Sequence, residues 1–328
     1  MKSDDNNMTE FIREAKLAGS WYPGREKPLK NLIEASFLSK FGPEKLPEGI
    51  ETTGDRNIIG IISPHAGFTF SGGIAANGYY EIAKDGIPDT ILLIGSHGGF
   101  NEIYTQTMGK WNTPLGDLHI DEQIALKIAK HSPTIIEAND KMVSMNYTDN
   151  TFELQLPFIR YLSPDIKIVP IAAGSRHYPK IQDAGKDLAS NLRDYFKQNS
   201  EKRVIIVAST DLTHYGSNFN FMPAIGQSPE KQNEWIKTND MRVIKMIKNL
   251  KQNTPEGILQ EATNHRNLCC PGAITLALET IVRLAESFNT KISVKFLKQA
   301  TSFEVEPGVS NPNFFSAVGY ASLVVKFQ

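Results

Sequence analysis

The 328-residue chain is 40% hydrophobic and 22% charged, the composition of an ordinary globular protein. Its Lys and Arg nearly balance its Asp and Glu, leaving a formal net charge of −1, so no global field draws it to nucleic acid or an acidic membrane surface. Its two cysteines, Cys269 and Cys270, are adjacent, a spacing that strains a disulfide and argues against a cross-linked secreted scaffold.

The N-terminal stretch MKSDDNNMTEFIREAK is polar and acidic and lacks the apolar segment of a signal peptide. Residues 1–12 are expected to be flexible and the protein cytoplasmic. No apolar run approaches bilayer length. Periodicity predicts a helix over 29–39, then a polar connection over 41–56. The run NIIGIIS, residues 57–63, is β-branched and almost uncharged and reads as a buried strand. A helix over 73–83, a strand over 90–94 (TILLI) and helices over 122–129 and 152–162 follow. Strands are expected over 166–172 (IKIVPIA) and 204–208 (VIIVA), with a helix over 181–198 between them. A polar connection over 216–230 leads to helices over 233–249 and 272–287 and to strands over 292–297 and 314–324. No repeat or low-complexity tract interrupts the pattern. The alternation predicts a layered α/β/α single domain spanning residues 1–328, with a mainly parallel or mixed central sheet.

Ligand sites in open α/β sheets lie beyond the carboxyl ends of the strands. Of the seven histidines, four closely follow strands: His65, His97, His177 and His214. In a parallel sheet these loops share one crevice. Imidazole and thiolate are good transition-metal donors, so His65, His97 and Cys269 form a candidate metal set. Cys269 lies just before a predicted helix, where a thiol is acidified. Asp211 and His214, three apart on one loop, suit an orienting carboxylate and an acid–base histidine. The alternatives are structural: turn histidines, a buried small thiol and a turn-capping Asp211. His177 precedes a surface-turn signal, and His119, His131 and His265 lie in polar or helical surroundings. The chain lacks paired C-x-x-C, H-E-x-x-H, a phosphate-binding P-loop and G-x-S-x-G. No basic stripe with interleaved aromatics points to nucleic acid.

Several motifs fall in order along nearly the whole chain. They are Arg13-Glu14-Ala15, Ala18-Gly19-Ser20-Trp21-Tyr22-Pro23, Pro64-His65-Ala66-Gly67-Phe68 with Ser71-Gly72, and Gly95-Ser96-His97. Then come FELQLPF at 152–158, STDLTHYG at 209–216, and Cys269 before a small-residue helix. The set resembles the Memo-like proteins, known in bacteria as component B of the AmmeMemoRadiSam system. The resemblance implies a fold similar to the catalytic subunit of class III extradiol dioxygenases. It places His65 and His97 at the two histidine ligands, His214 at the acid–base histidine, and Cys269 where those dioxygenases have a glutamate ligand. The implied cofactor is a transition metal: Fe(II), Cu or Zn. It also implies a functional link to the system's other components, including a radical SAM protein. Two positions depart from the family pattern: Asn150, where a histidine is usual, and Cys270, where glycine is expected. By register Cys269 is the inward thiol, and Cys270 is expected to face another side of the turn and pack as a small apolar group.

Three functions are consistent with these features. The leading one is a metal-binding, dioxygenase-like protein, redox-active on a small molecule. The second is a non-catalytic module for a phosphopeptide or other anionic ligand, since eukaryotic relatives are associated with phosphotyrosine signalling. The third is a metal-dependent hydrolase in which Asp211 and His214 activate water.

Overall fold

The apolar runs of the sequence become the middle of a nine-stranded mixed sheet. The computed structural model describes residues 11–47, 56–144, 149–307 and 315–328. In chain order the strands are β1 (Ile12–Arg13), β2 (Ile58–Ser63), β3 (Thr90–Gly95), β4 (Ile103–Thr105), β5 (Lys110–Trp111), β6 (Leu118–His119), β7 (Ile135–Glu137), β8 (Lys167–Ala173), β9 (Val204–Ser209), β10 (His214–Tyr215), β11 (Ile292–Thr301) and β12 (Ala317–Phe327). The helices are α1 (Glu26–Leu38), α2 (Phe68–Asp85), α3 (Glu122–His131), α4 (Asn139–Ser144), α5 (Asn150–Glu153), α6 (Leu156–Leu162), α7 (Tyr178–Gln198), α8 (Pro229–Lys248), α9 (Thr254–His265), α10 (Pro271–Phe288) and α11 (Ser302–Val305).

The large sheet runs β10-β12-β2-β9-β3-β8-β4-β7, with β11 also paired to β12. Strands β2, β9, β3 and β8 are mutually parallel, and β12 and β4 flank them antiparallel. Every residue of β2, β3 and β9 is buried, as a parallel layer covered on both faces requires. Alternation along β2 shows the two coverings. A side chain at Gly60 would point at Ile281 of α10, whereas the next residue, Ile61, packs against Gly78 of α2. Helix α10 lies on β9 and β3 with α7 beside it, and α1 packs against α2. Strands β1, β5 and β6 form a separate three-stranded sheet.

The expected elements over 29–39, 73–83, 181–198 and 233–249 are present with shifted ends. The helix expected over 152–162 is instead two, α5 and α6, broken at Leu154–Gln155. Pro157, at the start of α6, has no N–H to continue the ladder from α5. Helix α9 was not foreseen, because Pro255, Gly257 and a mostly polar surface mask its short apolar face. The strand expected over 314–324 runs from Ala317 to Phe327, and Phe314 lies outside the described residues. So do residues 1–10, most of the stretch expected to be flexible, while Ile12 pairs with Lys110. Among the described residues no helix is long and apolar enough to cross a membrane.

Candidate metal centre

The register of the sheet sets the site. Ser63 at the end of β2 pairs with Ser209 at the end of β9, and Ala208 of β9 pairs with Ile94 of β3. His65, Asp211 and His97 each stand two residues beyond these neighbouring strand ends. They therefore converge at one edge. The backbone before His97 is strained: Ser96 has φ 113°, a left-handed value unusual for a residue with a side chain. Its N–H donates to Thr151 Oγ1 at 3.0 Å, which ties this loop to α5.

The cysteines arrive from the far end of the chain, at the start of α10. The Cys269 N–H donates to the Asp211 carbonyl at 3.1 Å, and the Cys270 N–H donates to Thr210 Oγ1 at 3.2 Å. Close approach here depends on Gly272, since a Cβ would stand 2.2 Å from the Ser175 carbonyl oxygen. Cys269 Sγ lies 3.3 Å from His65 Nε2, and Cys270 Sγ lies 3.6 Å from His97 Nδ1. The two sulfurs are 3.6 Å apart. One nitrogen from each histidine and both sulfurs all fall within 4.8 Å of one another. This donor set fits a transition-metal ion: two imidazoles and sulfur, converging from two strand ends and a helix start.

Surrounding hydrogen bonds decide which imidazole nitrogens are free to bind. Asn150 Nδ2 donates to the His65 carbonyl at 3.0 Å, which turns Asn150 Oδ1 toward His97 Nε2 at 2.9 Å. An amide oxygen only accepts, so His97 Nε2 carries a proton and Nδ1 is the ring nitrogen turned toward the cysteines. His65 Nδ1 contacts Ser209 Oγ at 2.9 Å, leaving Nε2 directed at Cys269. Gln155 holds Ser209 Oγ at 3.1 Å and the Pro64 carbonyl at 2.8 Å, and it accepts from Tyr79. The break between α5 and α6 thus places a working side chain. The N-terminal motif braces the same helix: the Leu17 N–H and Tyr22 hydroxyl both donate to Glu153, whose other oxygen faces Arg13 at 3.9 Å.

Charge is concentrated here. Burial alone would raise the Cys269 thiol. The hydrogen bond from Cys270, the charge of His65 and the bonds from His214 and His65 overturn this and hold it well below its ordinary value. Cys270 is driven the other way, by burial and by the neighbouring Cys269. His97 keeps an exposed edge, but its ring packs against His65 with centroids 5.0 Å apart. Lost hydration lowers it. The bond and charge of Cys269, with help from Asn150, outweigh that and push it up to about 9. Asp211 is buried, and its Oδ1 accepts from the His65 N–H at 2.8 Å. Its Oδ2 lies 3.9 Å from both His65 Nε2 and His214 Nε2. Burial raises this carboxyl, with the His65 and His214 charges opposing. His214, on β10, is itself raised: burial pulls it down, and the bond and charge of Cys269 and the charge of Asp211 pull it up further. Its Nε2 has no hydrogen-bond partner among the described residues.

A cavity of about 280 Å³ opens onto this cluster, lined by His97, Cys269, His214, Phe219, Arg176 and Arg266 among others. Among the described residues no carboxylate lines it. A second cavity of about 590 Å³ shares the Phe219 wall and is lined by Trp21, Phe70, Val318 and Tyr320.

The structure therefore brings together His65, His97, Cys269, Asp211 and His214. His119, His131 and His177 are exposed, and His265 lies beside Arg242 and Glu261. One expectation needs correction. Cys270 is fully buried, yet its sulfur faces the cluster rather than another side of the turn. The reason is register: the residue capping α10 is Cys270, not Cys269, so both side chains stand ahead of the first helical turn. Arg176, Arg266 and Gln155 were not singled out from sequence. Arg176 stands three residues past β8, the same signal that drew notice to His177 beside it.

Comparison with known proteins agrees with this architecture. The model of the family described as Memo-like protein matches residues 13–324. A MEMO1 family protein of Sulfurisphaera tokodaii is 32% identical over 316 residues, covering 95% of this chain and 99% of the relative. One from Pyrococcus furiosus is 33% identical, covering 96% of this chain and 99% of its own length. One from Thermococcus kodakarensis is 32% identical across 96% of this chain and all of the relative. With a family match spanning nearly every described element and relatives aligned end to end, this chain belongs to the Memo-like family.

Proposed function

We propose that the protein holds one transition-metal ion at His65 Nε2, His97 Nδ1 and Cys269 Sγ, and acts there on a small anionic molecule admitted through the 280 Å³ cavity. The observation that carries this reading is the convergence of two imidazole nitrogens and two sulfurs within 4.8 Å beneath an open cavity whose lining has no carboxylate among the described residues. A bound Fe, Cu or Zn ion would supply Lewis-acid or, for iron and copper, one-electron chemistry. The chain supplies the rest. Arg176, without a carboxylate partner among the described residues, holds negative charge at the mouth. His214 presents an unpartnered Nε2 beside that space and gives or takes a proton, and Asp211 steadies its charged form. Phe219 packs against His214 in a tilted arrangement, with ring centroids 4.7 Å apart, and forms a wall of that space.

Metal analysis of protein purified without chelators tests this. About one equivalent of Fe, Cu or Zn is expected, lost in His65→Ala and in Cys269→Ser. Wild-type protein that retains none of these metals, even after incubation with each under reducing conditions, overturns it. Oxygen uptake with catechols then separates dioxygenase-type chemistry from hydrolysis by Asp211 and His214.

A second reading has its own support in Arg176 and Arg266, two cationic side chains that line the cavity, the latter also donating to the Phe219 and Asn220 carbonyls. Here the pocket binds an anionic side chain, such as a phosphotyrosine peptide, without chemistry. Phosphotyrosine affinity that is equal in metal-free and metal-loaded protein and lost in Arg176→Ala favours it. The link to a radical SAM partner is likewise a proposal, tested by co-purification of the two proteins.

A further inference from the structure

We infer that Cys270 is a fourth metal donor, so that the ion sits in a closed tetrahedral set of two thiolates and two imidazoles. The inference rests on the metal reading above and assigns a role to the residue that sequence reasoning set aside as packing.

The argument is geometric. With metal–sulfur distances near 2.3 Å and metal–nitrogen distances near 2.0–2.1 Å, a regular tetrahedron has an S···S edge of about 3.8 Å and S···N edges of about 3.6 Å. The S···S separation here is 3.6 Å, and the S···N separations are 3.3 Å for Cys269–His65 and 3.6 Å for Cys270–His97. The remaining pairs among the four donors all lie within 4.8 Å. Side chains therefore need to move only by fractions of an ångström to about one ångström to close on one ion.

The hydrogen-bond network points the same way. Asn150 Oδ1 accepts from the His97 Nε2–H, so the ring atom left facing Cys270 Sγ is Nδ1, where a metal ion would replace a proton. The Cys270 backbone is held by Thr210 and the Cys269 backbone by Asp211, which keeps both sulfurs on the same side of the α10 start. The positive end of that helix favours thiolate at Cys269, and a bound ion would displace the Cys270 proton. A thiol kept only for packing has no need to stand 3.6 Å from a ring nitrogen and 3.6 Å from a second sulfur.

Two thiolates change the chemistry. A tetrahedral S₂N₂ set selects zinc over the harder metals. Closed four-ligand sites hold their ion without an open position, whereas catalytic sites keep one. His97 and Cys269 line the cavity, so a molecule entering there would approach a bound ion from their side. Cys270, fully buried, stays on the protein side.

Cobalt(II) titration of the full-length, reduced protein tests the fourth donor, because thiolate-to-cobalt charge-transfer absorbance scales with the number of bound sulfurs. Wild type is expected to take one equivalent with a two-sulfur signal. Cys270→Ser is expected to take one equivalent at least tenfold more weakly, with about half that absorbance. Equal absorbance in both proteins overturns the inference while leaving the metal site standing. Failure of the wild type to bind cobalt or zinc overturns both. If Cys270→Ser does not fold, X-ray absorption of zinc-loaded wild type decides: two sulfurs near about 2.3 Å support the inference and a single sulfur overturns it.

Discussion

The two ends of the parallel strands treat buried charge in opposite ways. At the amino ends of β2, β3 and β9, Asp85 accepts from the Asn57 and Ile58 N–H groups at 3.2 and 2.8 Å and pairs with Arg203. Asp89 accepts from the Arg203 N–H at 2.9 Å and from Lys202 at 2.7 Å. Each acid meets a base, and the bonds close chain ends together. At the carboxyl ends, Asp211, His214, His65, His97 and Cys269 also gather, but there the two imidazoles His65 and His97 converge with the cysteines on a common space, and a cavity opens beside His97, His214 and Cys269. Charge that cancels locally reads as architecture. Charge that converges on a shared space with unpartnered atoms reads as a site.

The sharpest way to break this contrast is at its architectural end. Asp85→Ala leaves Arg203 buried without its carboxylate and is expected to cost about 3–5 kcal/mol of stability. Metal content per folded molecule should not change. Denaturant unfolding with metal analysis checks both, and a stable Asp85→Ala protein that loses its metal would show that the two ends are not separable.

A second test concerns Asp240, which lies beneath the 210–214 loop with no ion-pair partner among the described residues. Its carboxylate accepts from the Thr213 N–H at 3.0 Å and from the Thr213 hydroxyl. Burial pushes the acid up to about 7 from 3.8, against those bonds. The folded protein therefore holds this proton more tightly than the unfolded chain. The contribution is complete below about pH 3.8 and is lost as pH rises through 7. Relative to Asp240→Asn, which does not titrate, wild-type stability should fall by up to about 1.4 kcal/mol per pH unit across that window. Parallel pH dependence of urea unfolding in the two proteins would refute it.

Asn150→Ala probes the functional end without touching a donor atom. Removing the group that fixes the His97 tautomer is expected to weaken metal binding by about 10–100-fold. Competition titration with a chelator measures it, and unchanged affinity would mean that His97 is held by packing alone. The smallest effect is expected from Lys202→Ala. Both Lys202 and Asp89 are substantially exposed, so losing this pair should cost under about 1 kcal/mol. A larger loss would show that the amino end depends on its outer charges as well as on Arg203.

Much of this was legible along the chain. The apolar, uncharged runs at 58–63, 90–94 and 204–208 are short and bounded by turn signals, as buried parallel strands are. Residues just past such strands must share an edge, which is why His65, His97, Asp211 and His214 were found together. Ordered motifs pointed to the family. The split between α5 and α6, the polar helix α9 and the arginines beside the cavity were not legible, because their meaning lies in what they face. The same holds for the two cysteines. Sequence places Cys269 and Cys270 before a helix, but which sulfur turns inward depends on the exact residue that caps it. That cap is set by Thr210 and Asp211, nearly sixty residues away on a neighbouring strand end. Local pattern determines which face of an element is buried; only the packing of distant loops decides the direction of a side chain at an element's end, where the backbone leaves its regular path and periodicity stops constraining it.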